Sequence, residues 1–487
     1  MKLSLGNKIR KNTLWLFAGG VSSRGIMFLS GIVLARLLVP EDFGLVVTIQ
    51  IFTGIVSVVA GGGMGQALIR ADDVTENHIN VIFTTQVAIG LVIYVVFWLL
   101  SSAIADFFGS EIYEQLIKVS ALTFVIRPFN NISSAKLSRN YNFKIVSLLA
   151  FFNVVISSLI SIYMAFNGYG VWSLIVAGLI TSLVLIPISL WLAKWWPKLS
   201  FKMEALKKYG AYGFKVSISN ILYSIMVQIP NFFISKVHGP ETLGLFNKAS
   251  SLTEIPLQII AGPVTQTVFR GMSEYKHDVN MSKYLYFRTL TLLCVYLFPF
   301  FTTMFWIAEP FVVIVYGENW KEAGQVMSII ALWGYSRTMI RPASIINDSH
   351  DRLKEEIYLD MEFILLLIVV LFFLTPQGIN FVAAGLIVMG LYQMIRVTRL
   401  AYTCMDNATL KDFFKAVYPA LCLNALLFLF LATLDNFVEF ENISSFFTLA
   451  GTLILTVLIY IILFMTIPFE GLTGERNKIK NKLRNFL

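Results

Sequence analysis

Arg36-Leu37-Leu38-Val39-Pro40-Glu41-Asp42-Phe43-Gly44-Leu45 returns two hundred residues later as Lys236-Val237-His238-Gly239-Pro240-Glu241-Thr242-Leu243-Gly244-Leu245. The Pro, Glu, Gly and Leu positions keep their register without a gap. Downstream, Gln66 and Arg70 meet Gln266 and Arg270. A second echo sets Ile126-Arg127-Pro128 against Ile340-Arg341-Pro342. Two matches in the same order indicate an internal duplication, and in both copies the repeated turn joins two long apolar runs.

Those runs set the class. Of 487 residues, 57% are hydrophobic and 14% charged, against about 45–50% and about 25% in a soluble domain, so the chain reads as a membrane protein. A span needs about 20 mostly apolar residues. Runs bounded by Gly, Pro and charged residues predict about fourteen spans: 13–38, 43–67, 80–104, 113–135, 145–166, 169–193, 208–235, 243–269, 283–308, 321–346, 355–376, 379–402, 411–433 and 444–467. The fold class is therefore all-α and polytopic, with two pseudo-symmetric six-helix lobes and two C-terminal helices. The lobes fall at 1–203 (helices 1–6) and 204–405 (helices 7–12), followed by helices 13 and 14 at 406–469 and a basic tail at 470–487. Six spans return the chain to its starting side, so both lobes share one orientation. Such a parallel repeat suits alternating access by rocking, or else a symmetric scaffold.

Charge sets the direction. Cytoplasmic connections collect Lys and Arg, and every second connection here is basic: Lys136, Arg139 and Lys144, then Lys194 to Lys208, Arg270 to Lys283, Arg352 and Lys354, and Arg399 to Lys415. The intervening ones hold Asp106 and Glu111, or Asp435, Glu439 and Glu441, or no charge. Both termini are expected in the cytoplasm of a bacterial cell, with the chain in the inner membrane. The net charge of +9 thus reflects orientation in a bilayer, and no nucleic-acid partner is implied. The apolar run from Thr13 is too long for a secretory h-region and carries Arg24, so it reads as the first helix.

Ionisable residues inside spans cost about 2.5–3.5 kcal/mol each at a helix centre and normally face a bundle interior or a wet cavity. Here they are Arg24, Arg127, Lys215, Lys248, Arg337, Arg341 and Arg396, against the acids Glu254, Asp360 and Glu362. A cavity richer in cations than acids suits an anionic substrate, and the planar Arg fork suits phosphate. Arg24 and Lys215, each in the first helix of its lobe, are the leading candidates. Each cation has a second reading: Lys215, Lys248 and Arg396 snorkel to an interface, or Arg341 pairs with Asp360 or Glu362. The acids are candidates for ion coupling, or are internal salt-bridge partners of Arg341 or Arg396.

Catalytic chemistry has little footing. Asp72, Asp73, His78, His238, His277, Asp348, His350 and Asp351 are scattered, without metal-ligand or triad spacing. No external connection is long enough to carry a catalytic domain. Neither an enzyme, a cofactor nor a metal is expected. Cys294, Cys404 and Cys422 read as small hydrophobes. Prolines 128, 187, 230, 256, 263, 299 and 342 lie within spans and can kink them. Gly61, Gly62, Gly63 and Gly65 permit close helix contact and read as a packing cluster, with a gate as the second reading.

The stretch Ala35 to Gly44 and the run Val315-Tyr316-Gly317-Glu318-Asn319-Trp320 resemble the polysaccharide transporter (Wzx-like oligosaccharide flippase) family of the multidrug/oligosaccharidyl-lipid/polysaccharide flippase superfamily. The resemblance spans almost the whole chain. It implies a two-lobe transporter that flips an undecaprenyl-pyrophosphate-linked oligosaccharide across the inner membrane. Membrane lipids, a polysaccharide polymerase and other assembly proteins are the implied partners. Arg24 best matches the basic cavity residue of the family's first helix. The alternatives are a cation-coupled drug antiporter of the same superfamily, whose cavity should favour acids, and a non-catalytic scaffold of an envelope polysaccharide assembly complex.

Overall fold

The computed structural model describes the chain except residues 1, 62–63, 71–73, 202, 276, 441–442, 444 and 487; within its helices it leaves undescribed the side chains at 2–14, 59, 66–67, 70, 203–219, 263, 266, 470, 479 and 482–486. Among the described residues there is no strand. The helices are α1 (Lys2–Leu37), α2 (Pro40–Gly61), α3 (Met64–Arg70), α4 (Glu76–Phe108), α5 (Ile112–Arg139), α6 (Phe143–Phe166), α7 (Trp172–Ala193) and α8 (Met203–Pro256). A π-helical turn, Leu257–Ala261, leads into α9 (Gly262–Glu274). Then come α10 (Val279–Tyr316), α11 (Lys321–Ser349), α12 (Leu353–Leu374), α13 (Ile379–Tyr402), α14 (Leu410–Val438), α15 (Phe446–Thr466) and α16 (Thr473–Phe486).

The predicted spans fall on these helices. The second covers α2 and α3, the seventh lies on the first arm of α8, and the eighth runs from its second arm through the π-helical turn into α9; the two arms meet at Gly239, with φ 82°. This left-handed value suits a residue without Cβ, and it places the break one residue before the duplicated Pro240. Among the described residues, ten helices are long and apolar enough to cross a membrane. The predicted spans outside that set are α5, α11 and the two arms of α8, the first described in full only from residue 220. These are the helices that carry Arg127, Lys215, Lys248, Glu254, Arg337 and Arg341. Of these, α5 and the first arm of α8 line a polar cavity, and helices walling a polar interior need not be apolar all round.

Two compact units divide the chain, Met1–Gly244 and Leu245–Leu487. In the first, α4 packs along α5, α1 along α6, and α7 along both α5 and α6. Ile82, Leu68, Ile132 and Leu137 form one apolar centre, and Tyr113, Leu116, Ile117 and Ala121 another. Lipid tails are as apolar as these side chains, so packing and polar contacts do most of the joining. After α7 the chain is tied back onto α4: the Trp195 indole donates to Asn80 Oδ1 at 3.0 Å, and the Ser200 amide donates to Thr84 Oγ1 at 2.9 Å. In the second unit α11 packs along α10 and α13. The hydroxyl of Thr302 on α10 meets Tyr335 Oη at 2.7 Å and donates to Asn424 Oδ1 at 2.8 Å, joining α10, α11 and α14.

Candidate functional site: a polar cavity in the first unit

A cavity of about 670 Å³ lies among α2, α3, α4, α5 and the stretch of α8 from residue 220. Its walls are polar for a bilayer protein. From α5 come Arg127, Asn131, Ser134 and Ser138, whose steps of four, three and four residues place them on one helix face. α8 supplies Asn220, Tyr223, Ser224 and Gln228, α4 supplies Gln86, and α2 and α3 supply Ser57, Gly61 and Gly65.

Local structure aims this wall. Pro128 sits inside α5, next to Arg127. It has no N–H to give the carbonyl four residues back, which is that of Phe124. Gly90 of α4 packs there, so close that a Cβ would lie 2.3 Å from the Phe124 carbonyl oxygen. The α4–α5 contact is thus fixed one turn from Arg127, whose side chain is exposed. Opposite, Gln228 Nε2 donates to the Gln50 carbonyl at 3.3 Å, and Asn231 Nδ2 donates to Gln228 Oε1 at 2.8 Å. A Cβ built on Gly61 or Gly65 would meet nothing within 4 Å. These two glycines therefore border open space, contrary to the close packing expected of them; Gly62 and Gly63 lie outside the described residues.

The duplicated turns meet each other. A Cβ on Gly44 would lie 1.6 Å from the Pro240 carbonyl oxygen, and one on Gly244 would lie 1.9 Å from that of Pro40. Beside them Thr48 Oγ1 and Ser235 Oγ are 2.7 Å apart, and Tyr113 Oη donates to Thr48 Oγ1 at 3.4 Å. The Lys236 amine donates to the Phe107 carbonyl and lies 4.0 Å from the centre of its ring.

The charged residues singled out from sequence are distributed as follows. Among the described residues, Arg127 is the one predicted cation that lines the cavity. Arg24 is exposed on α1. Lys215 lies in the part of α8 whose side chains are outside the described residues, as do Gln66, Arg70 and Gln266 of the repeat. Lys248 sits 4.6 Å from the Tyr316 ring centre and 5.2 Å from that of Trp320, a cation–π arrangement. Arg337 pairs with Glu254 and lies 4.5 Å from the Trp333 ring centre. Arg396 pairs with Glu362 at 2.6 Å, and the Tyr392 hydroxyl donates to the same carboxylate. Arg341 is exposed and Asp360 half-buried; no described ion pair joins Arg341 to Asp360 or Glu362. Among the described residues, no three His, Cys, Asp or Glu side chains are grouped to hold a metal ion.

Gln86, Asn131, Asn220, Tyr223 and Gln228 were not singled out from the sequence. Their signal was nonetheless present, as uncharged polar residues at helical spacing inside spans: 127, 131, 134 and 138 on one helix, and 220, 224 and 228 on another.

Residues 33–325 match the model of a family described as polysaccharide biosynthesis protein. A succinoglycan biosynthesis transport protein of Rhizobium meliloti (strain 1021) is 22% identical over 336 residues, 69% of this chain and 67% of the relative. A teichuronic acid biosynthesis protein of Bacillus subtilis (strain 168) is 24% identical over 285 residues, and the match spans 58% of each chain. The solved structure of the lipid II flippase MurJ in its inward closed conformation superimposes with a TM-score of 0.70 at 16% identity, covering 92% of this chain and 98% of that one. That last likeness shows a shared fold.

Proposed function

The chain belongs to the polysaccharide biosynthesis protein family, and from that membership we propose that it flips an undecaprenyl-pyrophosphate-linked oligosaccharide from the inner to the outer leaflet of the bacterial inner membrane. The protein works by alternating access, opening its polar cavity first to one side of the membrane and then to the other. Both termini lie in the cytoplasm. The observation that carries the reading is the cavity itself: about 670 Å³ of space walled by Arg127, amides and hydroxyls, in a chain with ten helices, among the described residues, long and apolar enough to cross a membrane.

Physical chemistry supports the assignment. A pyrophosphate-linked saccharide cannot cross hydrocarbon bare, because every unpaired polar group there costs several kcal/mol. A polar-walled passage removes that cost while the polyprenyl tail stays in lipid. Outward movement of negative charge from a negative-inside cell is downhill by about 2.3 kcal/mol per charge per 100 mV. The cationic binding set comprises Arg24, Lys215, Arg127, Arg337, Arg341, Lys248 and Arg396. Arg127 lies nearest the saccharide. Glu254 and Glu362 hold Arg337 and Arg396 until the phosphates replace them, and with Asp360 they are the groups for ion coupling.

The test is reconstitution into liposomes with a labelled lipid-linked oligosaccharide from the host that makes the polymer. Head groups should become accessible on the opposite face, at rates well above protein-free vesicles. Equal rates with and without protein would defeat the proposal.

A further inference from the structure

Resting on that reading, we infer that the cavity in the first unit is the saccharide-recognition subsite, with Gln86 as the residue that reads a hydrogen-bond donor on the sugar nearest the phosphates. Gln86 lines the cavity and is 2% exposed. Its Nε2 donates to the Gly61 carbonyl at 3.4 Å, whereas its Oε1 is buried with no hydrogen-bond partner. A buried acceptor left unpaired costs about 1–3 kcal/mol, so such groups are rare unless they have a use. When the Gln86 amide turns toward the cavity, a sugar hydroxyl or acetamido N–H that meets its Oε1 removes that cost, and a ligand without a donor there leaves it in place.

The surroundings fit a sugar better than a bare phosphate. Arg127 is the one cation among the described lining residues, and Asn131, Asn220, Ser134 and the exposed Tyr223 make up much of the rest. Amides and hydroxyls both donate and accept, as sugar hydroxyls do. An aromatic ring such as Tyr223 offers a flat apolar face to the C–H side of a pyranose. Discrimination of this kind is strong because a site built to bond a polar group is left unpaired by an analogue lacking it.

The experiment compares two probes on purified protein in nanodiscs: the labelled lipid-linked oligosaccharide of the host polymer, and undecaprenyl pyrophosphate without sugar. Wild type is expected to bind the first at least tenfold more tightly. Gln86→Met keeps the side-chain length but has neither amide atom, and is expected to lose about tenfold for the oligosaccharide lipid with no change for the sugar-free one. Its melting temperature without ligand should stay level or rise, because an unpaired acceptor has gone, whereas a structural role predicts a fall. The inference is overturned if wild type binds both probes equally, if Gln86→Met binds both as wild type does, or if it loses both together with thermal stability. The transport reading fails separately, if wild type flips neither probe.

Discussion

Gly44 and Pro240 touch backbone to backbone, and the contact is returned by their repeat equivalents, Gly244 and Pro40. A residue i that meets j while the copy of i meets the copy of j is the pattern of two like elements across a two-fold axis. The duplicated Pro-Glu-x-x-Gly turn is therefore a piece of structure that closes on its own copy. Glycine is required at 44 and 244 for room alone, as neither has positive φ.

Gly44→Ala should consequently be far more damaging than its chemistry suggests. Its methyl would stand 1.6 Å from the Pro240 oxygen, a backbone atom with no rotamer to change. Overpacking costs about 1–3 kcal/mol, which thermal unfolding in detergent will report as a lowered melting temperature. Gly61→Ala, where nothing lies within 4 Å, is the control and should melt as wild type does. Equal melting of the two variants would show that the turns do not pack as described.

Gly65 gives the opposite experiment. Its missing Cβ faces open cavity, so Gly65→Phe should fold normally and fill the space a saccharide needs. Transport of the lipid-linked oligosaccharide in liposomes should fall at least tenfold with little change in melting temperature. Full transport by a stable Gly65→Phe protein would remove this cavity from the substrate route.

Arg337 and Glu254 offer a double-mutant cycle. Their side chains are 17% and 26% exposed, so the pair is shielded from water better than a surface pair, whose worth is about 0–1 kcal/mol. Arg337→Gln and Glu254→Gln should each lower stability by about 1–2 kcal/mol, since each leaves a half-buried charge without its partner. The double variant should be less damaged than the sum of the two. Strict additivity would mean that the ion pair is not formed in the membrane.

The architecture was legible because bilayer thickness imposes a run length that apolar residues must fill, and because the two Pro-Glu-x-x-Gly turns survive as text. Most of the cavity wall was not. Arg127 drew notice as a charge in a span, but Asn131, Ser134 and Ser138 did not, because small polar residues inside membrane helices commonly bond their own backbone. Thr84 and Thr181 do so here, donating to the carbonyls of Asn80 and Ala177 at 2.8 Å. Only their alignment with Arg127 on one face separates wall residues from such self-satisfied ones. Which acid would take which cation was equally hidden: Glu362 faced a choice between Arg341 and Arg396, and packing of α12 against α13 decided it.

The C-terminal helix provides a prediction with a pH sign. Glu475 at the start of α16 accepts from Arg288 of α10 at 2.8 Å and from Lys478 at 3.1 Å. Lys478 first, and then Arg288, holds its carboxyl below the ordinary value of 4.5. A lowered carboxylate contributes stability above its unfolded value and loses it as pH falls through the folded one. The tie between α10 and α16 should therefore be complete at neutral pH and weaken only below about pH 4.5. A nitroxide attached at the exposed position 481 should gain mobility in that acid range. In Arg288→Ala the label should already be mobile at pH 7, since Lys478 lies on α16 itself and cannot join it to α10. A label equally immobile in both proteins at pH 7 would show that the α10–α16 ion pair does not hold the tail.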